Sequence, residues 1–390
     1  MQFNLKLTEK GAIYVTSQQP VDIHGKPYNR SLLVGVLLIG TFCTILNQTL
    51  LTTALPTLMK EFDISASSVQ WLTTGFLLVN GIMIPISAWL INKFSSKKLY
   101  ITAMSTFLIG TIICFVAQDF GMLLTGRLVQ AAGVGVSMPL LQTIMLSIFP
   151  PEKRGAAMGT TGIVIGLAPA LGPTLSGWII DSYTWRDLFG MVIPIVVLVL
   201  ILASFLMKNV IQLSNPSIDV LSVILSTLGF GSLLYGFSSV GDKGWGSPQV
   251  YGFLIVGAIV LCLFTYRQLH LEQPFLELRV FKSKVFTVAA ILSGVTNMAM
   301  IGAEMVLPLY IQNIRGESAF HSGLMLLPGA LVMGLMMPVT GRIFDKIGAR
   351  RLAITGMFIL TAATLPFAFL TKATPIIYII VLYARSEEHT

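Results

Sequence analysis

The sequence predicts an all-α polytopic membrane protein, and three observations lead to this fold class. Of the 390 residues, 54% are hydrophobic and only 11% are charged, against roughly 25% charged in a typical soluble domain. The mean hydropathy is +0.81. Apolar stretches of about twenty residues, each long enough to cross a bilayer as a helix, recur along the whole chain. Because no soluble basic domain interrupts them, the net charge of +8 indicates membrane topology signals rather than nucleic-acid binding.

Eleven complete spans and the beginning of a twelfth follow from these apolar stretches. Each span is predicted as a helix, because lipid offers no hydrogen bonds to an irregular backbone. The predicted spans are 31–56, 69–91, 98–117, 120–147, 155–180, 187–207, 219–240, 250–269, 285–312, 322–344 and 350–371, and the twelfth begins near 375.

Charge in the loops predicts the orientation of the chain in a cytoplasmic membrane. With the N-terminus in the cytoplasm, eighteen of the 25 Lys and Arg residues fall in cytoplasmic segments and five in external ones. This bias matches the positive-inside rule. No cleavable signal peptide is evident, so residues 1–30 are interpreted as a cytoplasmic N-terminal tail.

An internal repeat divides the chain into two bundles. Residues 81–98 and 334–351 share glycine, methionine, proline and lysine in the same order at a constant offset. Such repeats are frequent in transporters, in which two homologous bundles lie side by side. The predicted organisation is the tail 1–30, an N-terminal six-helix bundle 31–208, an inserted transmembrane hairpin and cytoplasmic linker 209–284, and a C-terminal bundle 285–383.

The last predicted span is too short to cross a bilayer. In "YIIVLYARSEEHT" the sequence turns from apolar to charged after about ten span residues. We therefore expect the C-terminal bundle to be incomplete and residues 384–390 to be a foreign tail.

Several motifs carry a resemblance that extends from about residue 31 to 383. They are "LNQTLLTTALP" at 46–56, the loop "AWLINKFSSK", its second-half counterpart "GRIFDKIGAR", "RLVQAAGVG", "APALGPTLSGW" and "WRDLF". In this order and at these spans, they resemble the major facilitator superfamily, in particular its fourteen-span drug:proton antiporter branch of multidrug efflux transporters. The sequence departs from the pattern at several positions, and at two of them, Asn47 and Asn92, the branch usually has an acid.

Arg127 is the strongest candidate for a functional side chain. It lies inside a predicted span, where a charge costs roughly 2.5–3.5 kcal/mol on insertion scales and therefore usually faces a cavity or a partner. Gln130 lies at i+3 on the same helix face and can share its hydrogen bonds. The resemblance assigns this arginine to proton coupling. The alternative is an anchor that extends to the membrane surface.

Glu304 is the only carboxylate well inside any predicted span. Burial disfavours a charged carboxylate, and proton antiport requires a carboxyl that gains and loses a proton near neutral pH. Asn47 cannot titrate, which strengthens the assignment of proton coupling to Glu304. A structural ion pair or hydrogen bond is the alternative, and the sequence does not distinguish a proton carrier from a drug ligand.

The substrate cavity is expected to be apolar with adaptable side chains, because methionine suits promiscuous binding. Each predicted cavity residue can instead face lipid or the hydrophobic core. The predicted cavity residues are Asn47, Gln130, Glu304, Met298 and Tyr310.

Glycine and proline in "GLAPALGPTLSG" predict a bent helix that packs tightly against the facing half. Glycine allows close helix approach in lipid, and neighbouring helices compensate the backbone groups that proline frees. We interpret this helix and the charged loops after spans two and ten as gating elements. The alternatives are ordinary small-residue packing for the helix and plain membrane topology signals for the loop charges. The predicted gating residues are Gly162, Gly166, Pro169, Gly172, Pro173 and Gly177 in the helix, with Asn92, Lys93, Gly341, Asp345, Lys346 and Arg350 in the two loops.

These features together predict a proton-coupled multidrug efflux antiporter rather than an enzyme. No phosphate-binding loop, nucleophile triad or metal-ligand spacing appears in the sequence. We therefore expect no metal or other cofactor, the proton gradient as energy source, and a functional monomer in the lipid bilayer whose partners are drug-like small molecules and protons, not nucleic acid. Alternatives are an exporter of a lipid, peptide or metabolite on the same fold, an inactive truncated transporter, and a non-transporting membrane sensor.

Overall fold

The computed structural model describes residues 6–7, 13–14, 20–23, 25–214, 219–272, 274, 276–371 and 374–387. Two short strands, β1 (Lys6–Leu7) and β2 (Ile13–Tyr14), pair antiparallel ahead of the helices. The helices are α1 (Arg30–Leu50), α2 (Leu55–Phe62), α3 (Ala66–Lys93), α4 (Ser96–Phe115), α5 (Phe120–Ile148), α6 (Pro151–Ser182), α7 (Asp187–Gly190), α8 (Val192–Leu206), α9 (Val220–Lys243), α10 (Pro248–His270), α11 (Lys284–Leu309), α12 (Ala319–Ile347), α13 (Ala349–Thr364) and α14 (Ile376–Glu387).

The helices confirm an all-α polytopic membrane protein. Among the described residues, ten helices are long and apolar enough to cross a membrane. The apolar parts described for α12 and α14 are shorter, at Ala319–Met333 and Ile376–Ser386. Most observed helices agree with the predicted spans within a few residues, because a helix is the structure that satisfies backbone hydrogen bonds in lipid.

The first predicted span, 31–56, is wrong at its end. Helix α1 stops at Leu50 and the chain turns through residues 51–54. Pro56 then lies in the first turn of α2, where its missing N–H has no hydrogen bond to lose. The apolar sequence runs through this turn without a break, so hydropathy alone does not locate it.

Within the part of the chain that the structure describes, buried apolar side chains form two hydrophobic cores, one towards each end of the chain. The larger core joins α1 to α8, and Tyr100 on α4 reinforces it by donating to the Val36 carbonyl of α1 at 3.0 Å. The smaller core lies between α11, α12 and α14 and includes Leu307, Leu326 and Tyr383. Met305 of α11 packs against the larger core, so α11 links the two.

Helices α9 and α10 form a hairpin that packs on α3. Tyr235 of α9 stacks near Trp71 of α3, with ring centroids 6.0 Å apart. The Asp219 carboxylate, which caps α9, accepts from Arg267 Nε and Nη2 of α10, each at 3.0 Å. This bidentate pair joins the beginning of α9 to the end of α10.

Helices α6 and α12 approach each other closely near the end of α6 and the beginning of α12. A Cβ added to Gly177 would lie 2.3 Å from the Ala319 oxygen, and one added to Gly323 would lie 2.3 Å from the Pro173 oxygen. Only glycine fits at such backbone distances. We call this contact the α6–α12 seam. Its residues are Pro173, Thr174, Gly177 and Asp181 with Ala319, Phe320 and Gly323.

Candidate functional site

Arg127 is completely buried inside the helices of the larger core, α1 to α8, which we call the first group of helices. It is the eighth residue of α5, about 10 Å along the helix axis from Phe120. Its side chain is 0% exposed. In this structure the guanidinium is therefore enclosed by protein and does not extend to the surface as an anchor would.

Neutral side chains surround the Arg127 guanidinium. Nη1 donates to Asn47 Oδ1 at 2.8 Å and to Gln130 Oε1 at 2.9 Å, and Nε donates to the Leu72 oxygen at 3.4 Å. The guanidinium carbon also lies 4.3 Å from the centre of the Phe76 ring, in the geometry of a cation–π contact.

A second layer holds Gln130 in place. Its Nε2 donates to Thr111 Oγ1 of α4 at 2.8 Å, so its oxygen is left to accept from the arginine. The i+3 spacing predicts the contact of Arg127 with Gln130, and the structure shows it. We call Asn47, Phe76, Thr111, Arg127 and Gln130 the Arg127 cluster.

Asn47 is the partner of Arg127 that sequence reasoning missed. It was expected in the substrate cavity, but it is 1% exposed and lies on α1 facing α5. The one signal in the sequence is that Asn47 stands where the resemblance leads us to expect an acid. Among the described residues, Arg127 makes no ion pair with a carboxylate.

Glu304 lies at the contact between α11 and the first group of helices. It is half-buried and lines a small cavity of about 30 Å³. Among the described residues, its carboxylate has no hydrogen bond and no ion pair. We call this cavity the Glu304 pocket. It is lined by Gln48, Thr49, Thr52, Leu55, Thr73, Leu77, Ile301, Glu304 and Met305.

The Arg127 cluster and the Glu304 pocket share two helices. On α1, Asn47 belongs to the cluster and the adjacent Gln48 lines the pocket. On α3, the Leu72 oxygen accepts from Arg127 and the adjacent Thr73 lines the pocket. Consecutive residues of a helix point in different directions, so α1 and α3 separate the two sites and contact both.

The other predicted cavity residues lie outside the Glu304 pocket. Met298, six residues before Glu304 on α11, is 76% exposed. Tyr310 is half-buried at the end of α11, where its hydroxyl donates to the Thr371 oxygen at 2.7 Å. Gln312 was not predicted, yet its Nε2 donates to the Thr53 oxygen at 3.1 Å and so ties this region to the turn after α1.

The predicted gating residues of α6 differ in their surroundings. Gly166, Gly172, Pro173 and Gly177 are buried, whereas Gly162 and Pro169 are half-buried. A Cβ added to Gly172 would lie 2.1 Å from Thr49 Oγ1 of α1. The second half of α6 is therefore the part that packs tightly, against α1 on one side and against α12 at the seam.

The first predicted loop contacts the segment after α8, because the Asn92 oxygen accepts from the Ser214 N–H at 2.9 Å and the Lys97 N–H donates to Asn209 Oδ1 at 3.3 Å. Asn92 Nδ2 donates to the Ala88 oxygen at 2.9 Å, and Lys93 Nζ lies 4.7 Å from the Trp89 ring centre. Arg350 is exposed and lines a groove of about 860 Å³ between α11 and α13. The side chains of Gly341, Asp345 and Lys346 lie outside the described residues.

Comparison with known proteins agrees with this architecture. The model of the Major Facilitator Superfamily matches residues 37–385. The chain is 56% identical over 361 residues to the uncharacterized MFS-type transporter YcnB of Bacillus subtilis, covering 93% of this chain and 76% of that protein. It is 43% identical to the lincomycin resistance protein LmrB of Listeria monocytogenes, covering 90% of this chain and 75% of LmrB.

More distant relatives and solved structures extend the likeness. The multidrug export protein EmrB of Escherichia coli is 31% identical, with 84% of this chain and 64% of EmrB covered. A structure of a POT family transporter in complex with a thioalcohol-conjugated peptide matches with a TM-score of 0.68 at 16% identity, over 95% of this chain and 83% of that one. This structural likeness shows the fold alone. The family match and the sequence identities together show that the chain belongs to the Major Facilitator Superfamily.

Proposed function

We propose that this protein is a proton-coupled efflux antiporter that exports amphipathic, often cationic drugs from a bacterial cell by alternating access. The names of its relatives LmrB and EmrB, a lincomycin resistance protein and a multidrug export protein, support export of drug-like molecules. Energy would come from the proton gradient, with no cofactor, and the monomer would be the functional unit.

The position of Glu304 carries the proposal. Its half-buried carboxyl lies where α11 meets α1 and α3, which is the boundary that changes when the two halves move against each other. Substrate and coupling-ion sites of secondary transporters lie at such repeat interfaces. A carboxyl without a fixed partner at this boundary can take up a proton in one arrangement and release it in the other.

The size of the Glu304 pocket supports a proton rather than a drug at this residue. A cavity of about 30 Å³ has room for a water molecule, whereas sites for drug-sized ligands are about 300–1,000 Å³. A pocket of this size would let Glu304 exchange a proton with water, and it would hold no drug-sized ligand. Drug binding would require the halves to separate at this point.

The α6–α12 seam supplies the contact that would open and close. Thr174 Oγ1 donates to the Gly323 oxygen at 3.0 Å, and the Asp181 carboxylate accepts from the Phe320 backbone N–H at 3.0 Å. With the N-terminus in the cytoplasm, α6 ends at the external face, so the described seam would close the external side. Opening it would expose the interior to the outside.

Replacing Glu304→Gln tests the proposal, because the amide is nearly isosteric and cannot titrate. In proteoliposomes with an imposed proton gradient, a drug-triggered pH change is expected from the wild type and is expected to be abolished in Glu304→Gln. The matched control is Glu277→Gln, which changes an exposed glutamate between α10 and α11 and should transport normally. Undiminished proton release by Glu304→Gln would refute the role of Glu304.

A further inference from the structure

Two buried nitrogen atoms of the Arg127 cluster lack a hydrogen-bond acceptor. They are Arg127 Nη2 and Asn47 Nδ2, and their side chains are 0% and 1% exposed. The two side chains are already joined by the bond from Arg127 Nη1 to Asn47 Oδ1. Since that bond uses the amide oxygen of Asn47, rotating the amide would break it, and both unsatisfied groups remain donors.

The cluster also lacks a negative charge. A guanidinium does not deprotonate in proteins, and a buried charge without compensation is costly. The acceptors that Arg127 contacts are the neutral Asn47 and Gln130 side chains and the Leu72 carbonyl. The nearby thiol of Cys114 makes its hydrogen bond to the Leu123 oxygen at 3.6 Å and not to the guanidinium.

The missing group is thus an acceptor, negatively charged and small. A water molecule would satisfy the donors but would leave the charge uncompensated. An anion enclosed by side chains that are 0–1% exposed must be small, which favours a monatomic ion over a carboxylate ligand or a phosphate. We propose that the Arg127 cluster binds a halide ion, with chloride between Arg127 Nη2 and Asn47 Nδ2. The anion supplies the charge that an aspartate at position 47 would carry.

Thermal unfolding of the full chain in detergent tests this site without relying on transport. We expect Tm to rise saturably when chloride replaces gluconate at constant ionic strength, because a ligand that binds only the folded state stabilises it. Asn47→Asp introduces the carboxylate and should be indifferent to chloride, with a Tm in gluconate at least equal to that of the wild type in saturating chloride. Asn297→Asp, an exposed asparagine on α11, is the matched control and should keep the chloride response.

A direct measurement covers the case in which Asn47→Asp does not fold. The wild type should broaden the ³⁵Cl NMR line of chloride, and excess bromide should reverse this broadening by competition. A wild type with equal Tm in chloride and gluconate and no line broadening would show that water occupies the cluster, and the proposal would be wrong. A chloride response that persists in folded Asn47→Asp would place the anion elsewhere and would also overturn it.

Discussion

The Arg127 cluster and the Glu304 pocket contain the two charged side chains that the sequence places inside the membrane, and they are built in opposite ways. Arg127 is 0% exposed and makes three hydrogen bonds and a ring contact within one group of helices. Glu304 is half-buried, and the structure describes no hydrogen bond to its carboxylate. The first site is enclosed and the second lies at a boundary between groups of helices.

In this structure the Arg127 guanidinium is held in place by its contacts, whereas the Glu304 carboxyl is not. An enclosed, hydrogen-bonded group has one arrangement, and removing its neighbours costs stability. A carboxyl at a boundary, without fixed partners, can change its surroundings when the boundary opens. We therefore expect changes in the cluster to alter stability first and changes in the pocket to alter transport first.

The largest expected effect on stability is that of Phe76→Ala. Phe76 is 1% exposed and its ring lies against the Arg127 guanidinium, so truncation leaves a cavity and removes the cation–π contact. We expect a loss of about 3 kcal/mol in the free energy of unfolding, measured by denaturation in mixed micelles. Phe205→Ala on α8, where the side chain is 75% exposed, is the control. Equal losses in both variants would contradict the enclosed character of the cluster.

An intermediate effect is expected from Gly177→Ala at the α6–α12 seam. The added methyl would lie 2.3 Å from the Ala319 oxygen, and such overpacking costs about 1–3 kcal/mol. We expect slower drug-triggered proton release in proteoliposomes, because the seam lies at the same boundary as Glu304, with an unchanged chloride response of the Arg127 cluster.

The same helix offers the control for this seam variant. A Cβ at Gly159 would contact nothing within 4 Å, so Gly159→Ala should transport like the wild type. A Gly159→Ala variant that is impaired as much as Gly177→Ala would show that helix flexibility, and not the close contact with α12, sets the rate.

The smallest effect concerns an arginine that does have a carboxylate partner. Hydrogen bonds from Arg267 and Ser222 hold the pKa of Asp219, which precedes the span of α9, below its ordinary value. The charged pair therefore contributes stability above the unfolded pKa of about 3.9, and this contribution is lost as the pH falls through the lower folded pKa.

Asp219→Asn measures this contribution. We expect a decrease in Tm of about 1 °C at pH 7, because partly exposed ion pairs contribute little, and no difference from the wild type at a pH below the folded pKa. A decrease that persists unchanged in acid would mean that helix capping of α9, and not the ion pair, supplies the stability.

Composition and short motifs were enough to predict most helices, the membrane location and the family. Apolar length fixes a span wherever lipid replaces water, and the i+3 spacing places Gln130 beside Arg127. The same local reasoning places Arg127 and Glu304 inside the membrane.

The contacts of these two charges depend on how the helices pack, which local sequence does not reveal. Asn47 and Arg127 are 80 residues apart in sequence and meet because α1 packs against α5. The turn at 51–54, the Glu304 pocket and the unsatisfied donors likewise arise from how helices pack together. Hydropathy reports whether a residue prefers lipid to water, and it carries no information about which face of one helix meets which face of another.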